Sequence, residues 1–392
     1  MRIALVTPLM EDVPPRGYGG TERAVGSLAN SLTWDSHDVT VFATAGSQVD
    51  AKLVACRDRP LLTDNRLADP IAEQLTMLRQ VREREAEFDI IHFHMDTLQF
   101  PLFNSISHKC LTTFHGRLDL IGLPAFYRAY RNFPVVSISD RQREPLPWLN
   151  WQATIHHGYA LDQYRAIPRT NNGEGYLAFL GRISPEKGIL EAIEIALRSG
   201  RKLKIAARVN RFDQQYWHEE VLPRIDGDRI EYVGEINDAE KSAFLSGADA
   251  LLFPISWPEP FGLVMIEAMA CGTPVIAFRH GAVPEVLEDG VTGRIVNSAD
   301  EAAAAVPSCC SLDRARIRSR FETRFSDERM KDDYVRVYRK LARSERSALP
   351  RYLTPNVRKV EKGMAAITAS LATTRRQTSI EKPADPKRSV EN

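Results

Sequence analysis

The feature that most limits what this chain can become is an alternation of short β-branched runs with helical stretches, sustained along its length. The runs begin with "IALVT" (3–7), "VTVFA" (39–43) and "DIIHF" (89–93), and continue with "CLTTF" (110–114), "PVVSIS" (134–139) and "ATIHH" (153–157). Between them the clearest helical patterns are "TERAVGSLANSL" (21–32) and "PIAEQLTMLRQVREREAEF" (70–88). Near "ALDQYRAIPRTNNGEG" (160–175) the alternation breaks into polar and turn residues, which reads as a linker. It restarts with "YLAFLG" (176–181), "LKIAA" (203–207), "IEYVG" (230–234), "ALLFP" (250–254) and "PVIAF" (274–278). The helix "EKGILEAIEIALRSG" (186–200) closes on a glycine. Strands that alternate with helices predict an α/β fold with parallel sheets, here wound twice.

Four segments follow: an N-terminal domain over 1–165, a second over 174–325, a helix over 326–344 and a tail over 345–392. The helix takes Ser326 as N-cap and is expected to return to the first domain. The tail loses hydrophobic periodicity and is expected to be disordered. It holds ten basic residues against five acidic, so it is either a solvated tail or a weak foothold on anionic lipid.

The whole chain has 392 residues and a formal net charge of +1, so no global field asks for a nucleic-acid partner. Five cysteines (Cys56, Cys110, Cys271, Cys309 and Cys310) are scattered without metal spacing, which suits reduced thiols in a cytosol. The start "MRIALVTPLMEDVPP" is too briefly apolar for a signal peptide, and no later run approaches the roughly 18 apolar residues of a membrane span. The expected location is cytoplasmic, with peripheral contact at the inner face of a membrane left open.

Two open α/β domains place a ligand between them, at the carboxyl ends of their strands. Three loops there could hold a phosphorylated ligand. In "RGYGGTERAV" (16–25), Gly19 and Gly20 let backbone amides approach an anion and Thr21 opens a helix. The spacing is not G-x-G-x-x-G, so a dinucleotide motif is absent, and a ligand-free turn is an equal reading. In "LGRISPEKGILEAI" (180–193), Arg182 follows the strand and Lys187 sits in the first helical turn, where a cation opposes the macrodipole unless an anion arrives. Such a pair makes a pyrophosphate clamp; the alternative is a solvated lysine beside a structural arginine. In "SWPEPFGLVMIEAMACGTPVIA" (256–277), the amides of Phe261, Gly262, Leu263 and Val264 begin a helix near Phe261.

That last segment also carries Glu259 and Glu267. Each could accept hydroxyl hydrogen bonds from one ligand, about 1.5–3 kcal/mol apiece for a charged acceptor. Alternatively Glu267 pairs with an arginine and is structural. Asp226 and Asp228 are the only Asp-x-Asp metal candidate, and Asp-Gly-Asp before a strand reads better as a turn. His92 and His94 share one strand face and read as structural or acceptor-side, not as metal ligands.

With these motifs the sequence resembles the family-four glycosyltransferases, which are retaining, use nucleotide sugars and adopt the GT-B fold of two Rossmann-like domains facing across a cleft. The resemblance spans residues 1 to about 344 and is most specific in "GRISPEKG", "YVGEI" and the segment from Glu259 to Ala277. Glu259 and Glu267 match the family's E-x7-E motif; Gly19, Gly20 and Glu22 match "GG.E"; Thr113, His115 and Gly116 match "T.HG". The resemblance implies that Arg182 and Lys187 bind the donor diphosphate, that Glu259 and the four helix-start amides hold the hexose, and that Glu267 takes the ribose hydroxyls. Backbone near Val209 and Glu235 would frame the base, His115 would contact the transferred sugar, and Gly19 and Gly20 would lie near phosphate and acceptor. No cofactor and no metal are implied. The partners implied are a donor, UDP-glucose by family frequency, and an unnamed hydroxyl acceptor: a small molecule, lipid or glycan. The acceptor would meet loops 11–20, 95–98 and 117–123 of the first domain. One departure stands out: "IHHGY" (155–159) replaces the Asn-Gly turn of many relatives. A nucleotide-sugar epimerase on the same fold and a silent sugar-nucleotide-binding protein are the rival readings.

Overall fold

The computed structural model describes residues 1–17, 19–66, 68–168 and 175–348. Two wholly parallel sheets organise it. The first has seven strands: β1 (Arg2–Val6), β2 (Asp38–Thr44), β3 (Lys52–Arg57), β4 (Ile90–Phe93), β5 (Cys110–Thr113), β6 (Val135–Ser137) and β7 (Trp151–Thr154). The second has six: β8 (Tyr176–Arg182), β9 (Lys202–Arg208), β10 (Ile230–Gly234), β11 (Ala248–Phe253), β12 (Val275–Phe278) and β13 (Gly293–Val296). Their orders are β3-β2-β1-β4-β5-β6-β7 and β10-β9-β8-β11-β12-β13. Each order reverses once, between β1 and β4 and between β8 and β11. Crevices for ligands open at the carboxyl ends beside such reversals. The glycine-rich loop follows β1, the Arg182–Lys187 loop follows β8, and the glutamate segment follows β11, so all three lie at a reversal.

Strands covered on both faces must be largely apolar, which is why β1 after Arg2, β4 apart from His92 and β11 apart from Asp249 read as hydrophobic runs. On one face of the first sheet, Ile3, Leu5 and Val41 pack with Val25 and Leu28 of the Gly20–Trp34 helix. The same core takes in Met330, Tyr334 and Tyr338 of the final helix, Asp327–Ala348. Ser326 caps that helix, its Oγ accepting from the Arg329 amide at 3.3 Å. Residues 349–392, the greater part of the basic tail, lie outside the described residues, as do 169–174 in the linker. Among the described residues no helix is long and apolar enough to cross a membrane.

Local details differ from the sequence reading. β3 and β13 are edge strands that the reading lacks: "KLVACR" is broken by charge and half-exposed, and "GRIV" spans only four residues. The 70–88 helix ends at Glu83, and a single 3-10 turn follows at Glu85–Glu87. The helix expected over 186–200 starts at Ile189. Pro185–Lys187 form a separate 3-10 turn, and left-handed Gly188 divides the two, so Lys187 precedes the α-helix instead of lying in its first turn. The helix expected near Phe261 begins at Leu263.

Candidate active site

One cavity of about 1350 Å³ runs between the two sheets, and all thirteen residues picked from sequence line it. Gly19, Gly20 and His115 come from the first half. Arg182, Lys187, Val209, Glu235, Glu259, Phe261, Gly262, Leu263, Val264 and Glu267 come from the second.

The β11 loop makes the closest contacts. Glu259 Oε2 accepts from Lys187 Nζ at 2.6 Å and from Trp257 Nε1 at 2.8 Å. The Lys187 ammonium also lies 4.7 Å from the centre of the Trp257 ring, a favourable cation–π position. The residues assigned by resemblance to diphosphate and to hexose therefore touch each other here. Arg182 reaches the carboxylates of Glu186 and Asp213, the latter at 3.4 Å. Gly262, at φ 83°, turns the chain into the Leu263–Ala270 helix. A Cβ there would sit 2.7 Å from Met265 Cε, the movable end of a flexible side chain, so it is the left-handed backbone that chiefly asks for glycine. The Met265 amide bonds the Gly262 carbonyl at 3.0 Å, whereas the amides of Leu263 and Val264, the first two of that helix, have no intrahelical acceptor and belong to residues that line the cavity. Gly20 meets the same helix start from the other half: a Cβ on it would come within 2.9 Å of Leu263 Cδ1.

Glu267 is 4% exposed. Its Oε1 accepts from Lys241 Nζ at 3.1 Å and from the Tyr159 and Tyr164 hydroxyls at 3.4 Å each. Burial pushes its pKa up, but Lys241 and Arg23 outweigh burial and hold it below the usual value. Among the described residues no hydrogen bond is made to Oε2. The partner of this glutamate is thus principally a lysine, with an arginine contributing from across the cleft. Sequence reasoning missed Arg23, Asp238, Lys241, Trp257, Tyr159 and Tyr164. Arg23 stood next to the "GG.E" motif and Trp257 beside Glu259, and both could have been singled out. Lys241 gave no such sign, because only tertiary packing carries its helix to Glu267.

His92, His94, His115 and His157 form one run of neighbouring rings. His92 is satisfied at both ring nitrogens, by Tyr338 and Thr113 at 2.8 Å each, which fits a structural role. His94 Nδ1 lies 2.9 Å from His115 Nε2. Burial drives the His115 pKa down to about 3 and keeps the ring neutral. His157, from the departing "IHHGY" turn, stacks on His115 with centroids 5.2 Å apart and meets Phe261 edge-on at 5.0 Å. That departure therefore inserts a ring between the sugar-contact candidate and the third loop. Asp226 holds a turn, its Oδ1 accepting from the amides of Asp228, Arg229 and Ile230 at 2.8–2.9 Å. Among the described residues no group of three or more His, Cys, Asp or Glu side chains is arranged to hold a metal ion.

Ion pairs across the cleft help tie the halves together. Arg23 meets Asp238, and Arg208 meets Glu11 at 3.4 Å. Two α/β halves of this kind, each built on a parallel sheet and facing the other across a cleft, define a GT-B protein.

Comparison with known proteins agrees. Residues 18–152 match the family model described as Glycosyltransferase Family 4, and residues 162–318 match that of Glycosyl transferases group 1. A phosphatidyl-myo-inositol mannosyltransferase of Mycobacterium leprae is 26% identical over 357 residues, covering 82% of this chain and 90% of that protein. A 41.2 kDa protein of uncharacterised function from the cps region of Klebsiella pneumoniae is 30% identical over 318 residues, covering 72% and 84%. The structure of Anabaena HepE in complex with UDP-glucose superposes with a TM-score of 0.66 at 18% identity, covering 88% of this chain and all of that one. The chain belongs to the family-four glycosyltransferases.

Proposed function

We propose that this glycosyltransferase moves a hexose from a nucleoside diphosphate sugar to a hydroxyl acceptor, with retention at the anomeric carbon. The observation that carries the reading is the convergence of Arg182, Lys187, Glu259, Glu267 and a helix start on one cavity. Arg182, Lys187 and the amides at the start of the Leu263–Ala270 helix supply positive charge where a departing diphosphate develops negative charge. They can do so without a divalent ion, so the proposed reaction is metal-independent. The C1–O bond to phosphate breaks, the acceptor oxygen bonds to C1 on the same face, and the leaving phosphate takes the acceptor's proton. Glu259 holds the hexose, Glu267 the ribose hydroxyls, and His115 faces the sugar from the first half. Val209 and Glu235 frame the base, and Gly19 and Gly20 lie near the phosphate.

In this scheme 1–165 is the acceptor side and 174–325 the donor side. UDP-glucose is the first donor to try, supported by the UDP-glucose bound in the Anabaena structure. The acceptor meets loops 11–20, 95–98 and 117–123, and contact with a membrane surface would bring a lipid acceptor to them. The test incubates the enzyme with UDP-, GDP- and ADP-hexoses in excess EDTA and follows the anomeric protons by NMR. Release of the nucleotide with the sugar passed on, or slowly hydrolysed, as the α-anomer supports the scheme. Activity that returns only with Mg²⁺ rejects metal independence, and β-configured product rejects retention. Epimerised donor with no sugar release would favour the rival epimerase, and binding without turnover a silent binding protein.

A further inference from the structure

The buried carboxylate of Glu267 stands at the meeting point of the two halves. Three elements besides its own pack against it. The Asp238–Gly247 helix brings Lys241 and Asp238; the Gly20–Trp34 helix brings Arg23 and Glu22; the chain after β7 brings Tyr159 and Tyr164. On its own helix Cys271 is the nearest titratable neighbour. Lys241 bonds Glu267 at 3.1 Å and Asp238 at 3.2 Å. The Tyr164 hydroxyl also bridges to Asp238 at 3.2 Å. Arg23, 3% exposed, pairs with the same Asp238 and donates to the Gly17 carbonyl at 2.6 Å. Arg23 and Lys241 both line the cavity. A carboxylate this buried survives as an ion only where cations face it.

We propose that Lys241 and Arg23 are positioning residues for nucleotide recognition, which keep Glu267 charged and aimed at the ribose, with Arg23 acting from the opposite half of the molecule. Glu267 Oε1 is engaged by Lys241 at 3.1 Å and approached by the two tyrosine hydroxyls, so Oε2 is the atom that receives the ribose hydroxyls. Because Arg23 belongs to the first half, nucleotide recognition by the second half depends on the arrangement of the cleft. The inference rests on the reading of Glu267 as the ribose acceptor.

The experiment measures, by calorimetry between about pH 5.5 and pH 8, binding of whichever of UDP, GDP and ADP the wild type holds most tightly. The readout is the ratio of variant to wild-type Kd, in which titration of the terminal phosphate cancels. For Lys241→Met the expected ratio is about tenfold or more at neutral pH and larger at the acid end, because burial is then less opposed and Glu267 takes up a proton. Arg23→Met shifts the ratio the same way, and Lys241→Arg returns it close to one. A ratio near one for Lys241→Met, or a raised ratio that does not change with pH, overturns the inference. Glu267→Gln separates the two levels. Wild-type affinity in that variant, or no binding of any of the three nucleotides to the wild type, removes the ribose reading and the inference with it. Weakened Glu267→Gln beside a pH-independent Lys241→Met ratio removes the inference alone.

Discussion

Lys187 and Glu259 are half-hidden and bonded at 2.6 Å, with Trp257 donating to the same carboxylate oxygen. A single such oxygen cannot also serve a sugar well, so in the proposed scheme the hexose uses Oε1 or displaces Lys187 toward the diphosphate. Either way the two side chains act together, and their separate substitution should show it. Glu259→Gln keeps the shape and loses the charge. Turnover is expected to fall about 10- to 100-fold, the loss of one charge-assisted hydrogen bond, while nucleoside diphosphate affinity changes little. Steady-state kinetics paired with calorimetry check this. A variant that binds nucleotide poorly but turns over normally would reverse the assigned roles. At this scale the sequence was informative because chemistry sits in residue type: Arg182, Lys187, Glu259 and Glu267 could be named without coordinates. What could not be read was which of them touch, since the Lys187–Glu259 contact joins residues 72 positions apart.

Elements carry the glycines that shape the loops. Gly262 at φ 83° starts the Leu263–Ala270 helix under Phe253 and Met265. Gly262→Ala forces a left-handed alanine, which costs about 1–2 kcal/mol, while the terminal methyl of Met265 can move aside. Urea denaturation should show at least that loss, and donor binding should weaken as the helix start shifts. An unchanged midpoint with unchanged binding would mean that the turn relaxes freely. Most strands were legible because a strand buried on both faces has to be largely apolar, as in residues 3–6 of β1 and 250–253 of β11. The edges were harder. β3 has Lys52 and Arg57 at its ends and half its residues in partial contact with solvent, so alternation and apolarity both weaken. The ends of helices also resisted reading, because Gly188 divides Glu186 and Lys187 from the helix-favouring run that follows them.

Across the whole molecule, burial sets a pH dependence whose sign can be worked out. His92, His94, His115 and His157 are held neutral, their pKa values lowered first of all by burial. A group with a depressed folded pKa gives stability that is complete above its unfolded value and is lost as pH falls toward the folded one. Each of the four therefore takes away about 1.4 kcal/mol per pH unit below roughly pH 6.5. Glu22 works the other way, since burial raises its pKa to about 7, so acid relieves it. Glu11 is raised as well, again by burial first. Asp96 is a third carboxyl raised by burial and His37 a fifth histidine lowered by it, so three carboxyls offset three histidines at most and two remain. The melting temperature should fall steeply between about pH 6.5 and pH 5, with His157→Asn flattening the slope; a level or rising profile contradicts this. The two-sheet architecture and its facing loops were readable from alternation and motif. The bridges Arg23–Asp238 and Arg208–Glu11 were not, because nothing in local sequence tells a surface charge from one that spans a cleft.

The central claim is that the cavity between the sheets holds a nucleoside diphosphate sugar by its phosphates at Arg182 and Lys187. The most direct measurement is calorimetric titration of UDP, GDP and ADP into the wild type and into the Arg182→Gln/Lys187→Gln double variant. The account predicts saturable binding of at least one nucleotide to the wild type and a loss of about 100-fold or more in the variant, two charge-assisted phosphate contacts being removed. Equal affinity in both proteins, or no binding of any nucleotide to a folded wild type, would contradict it.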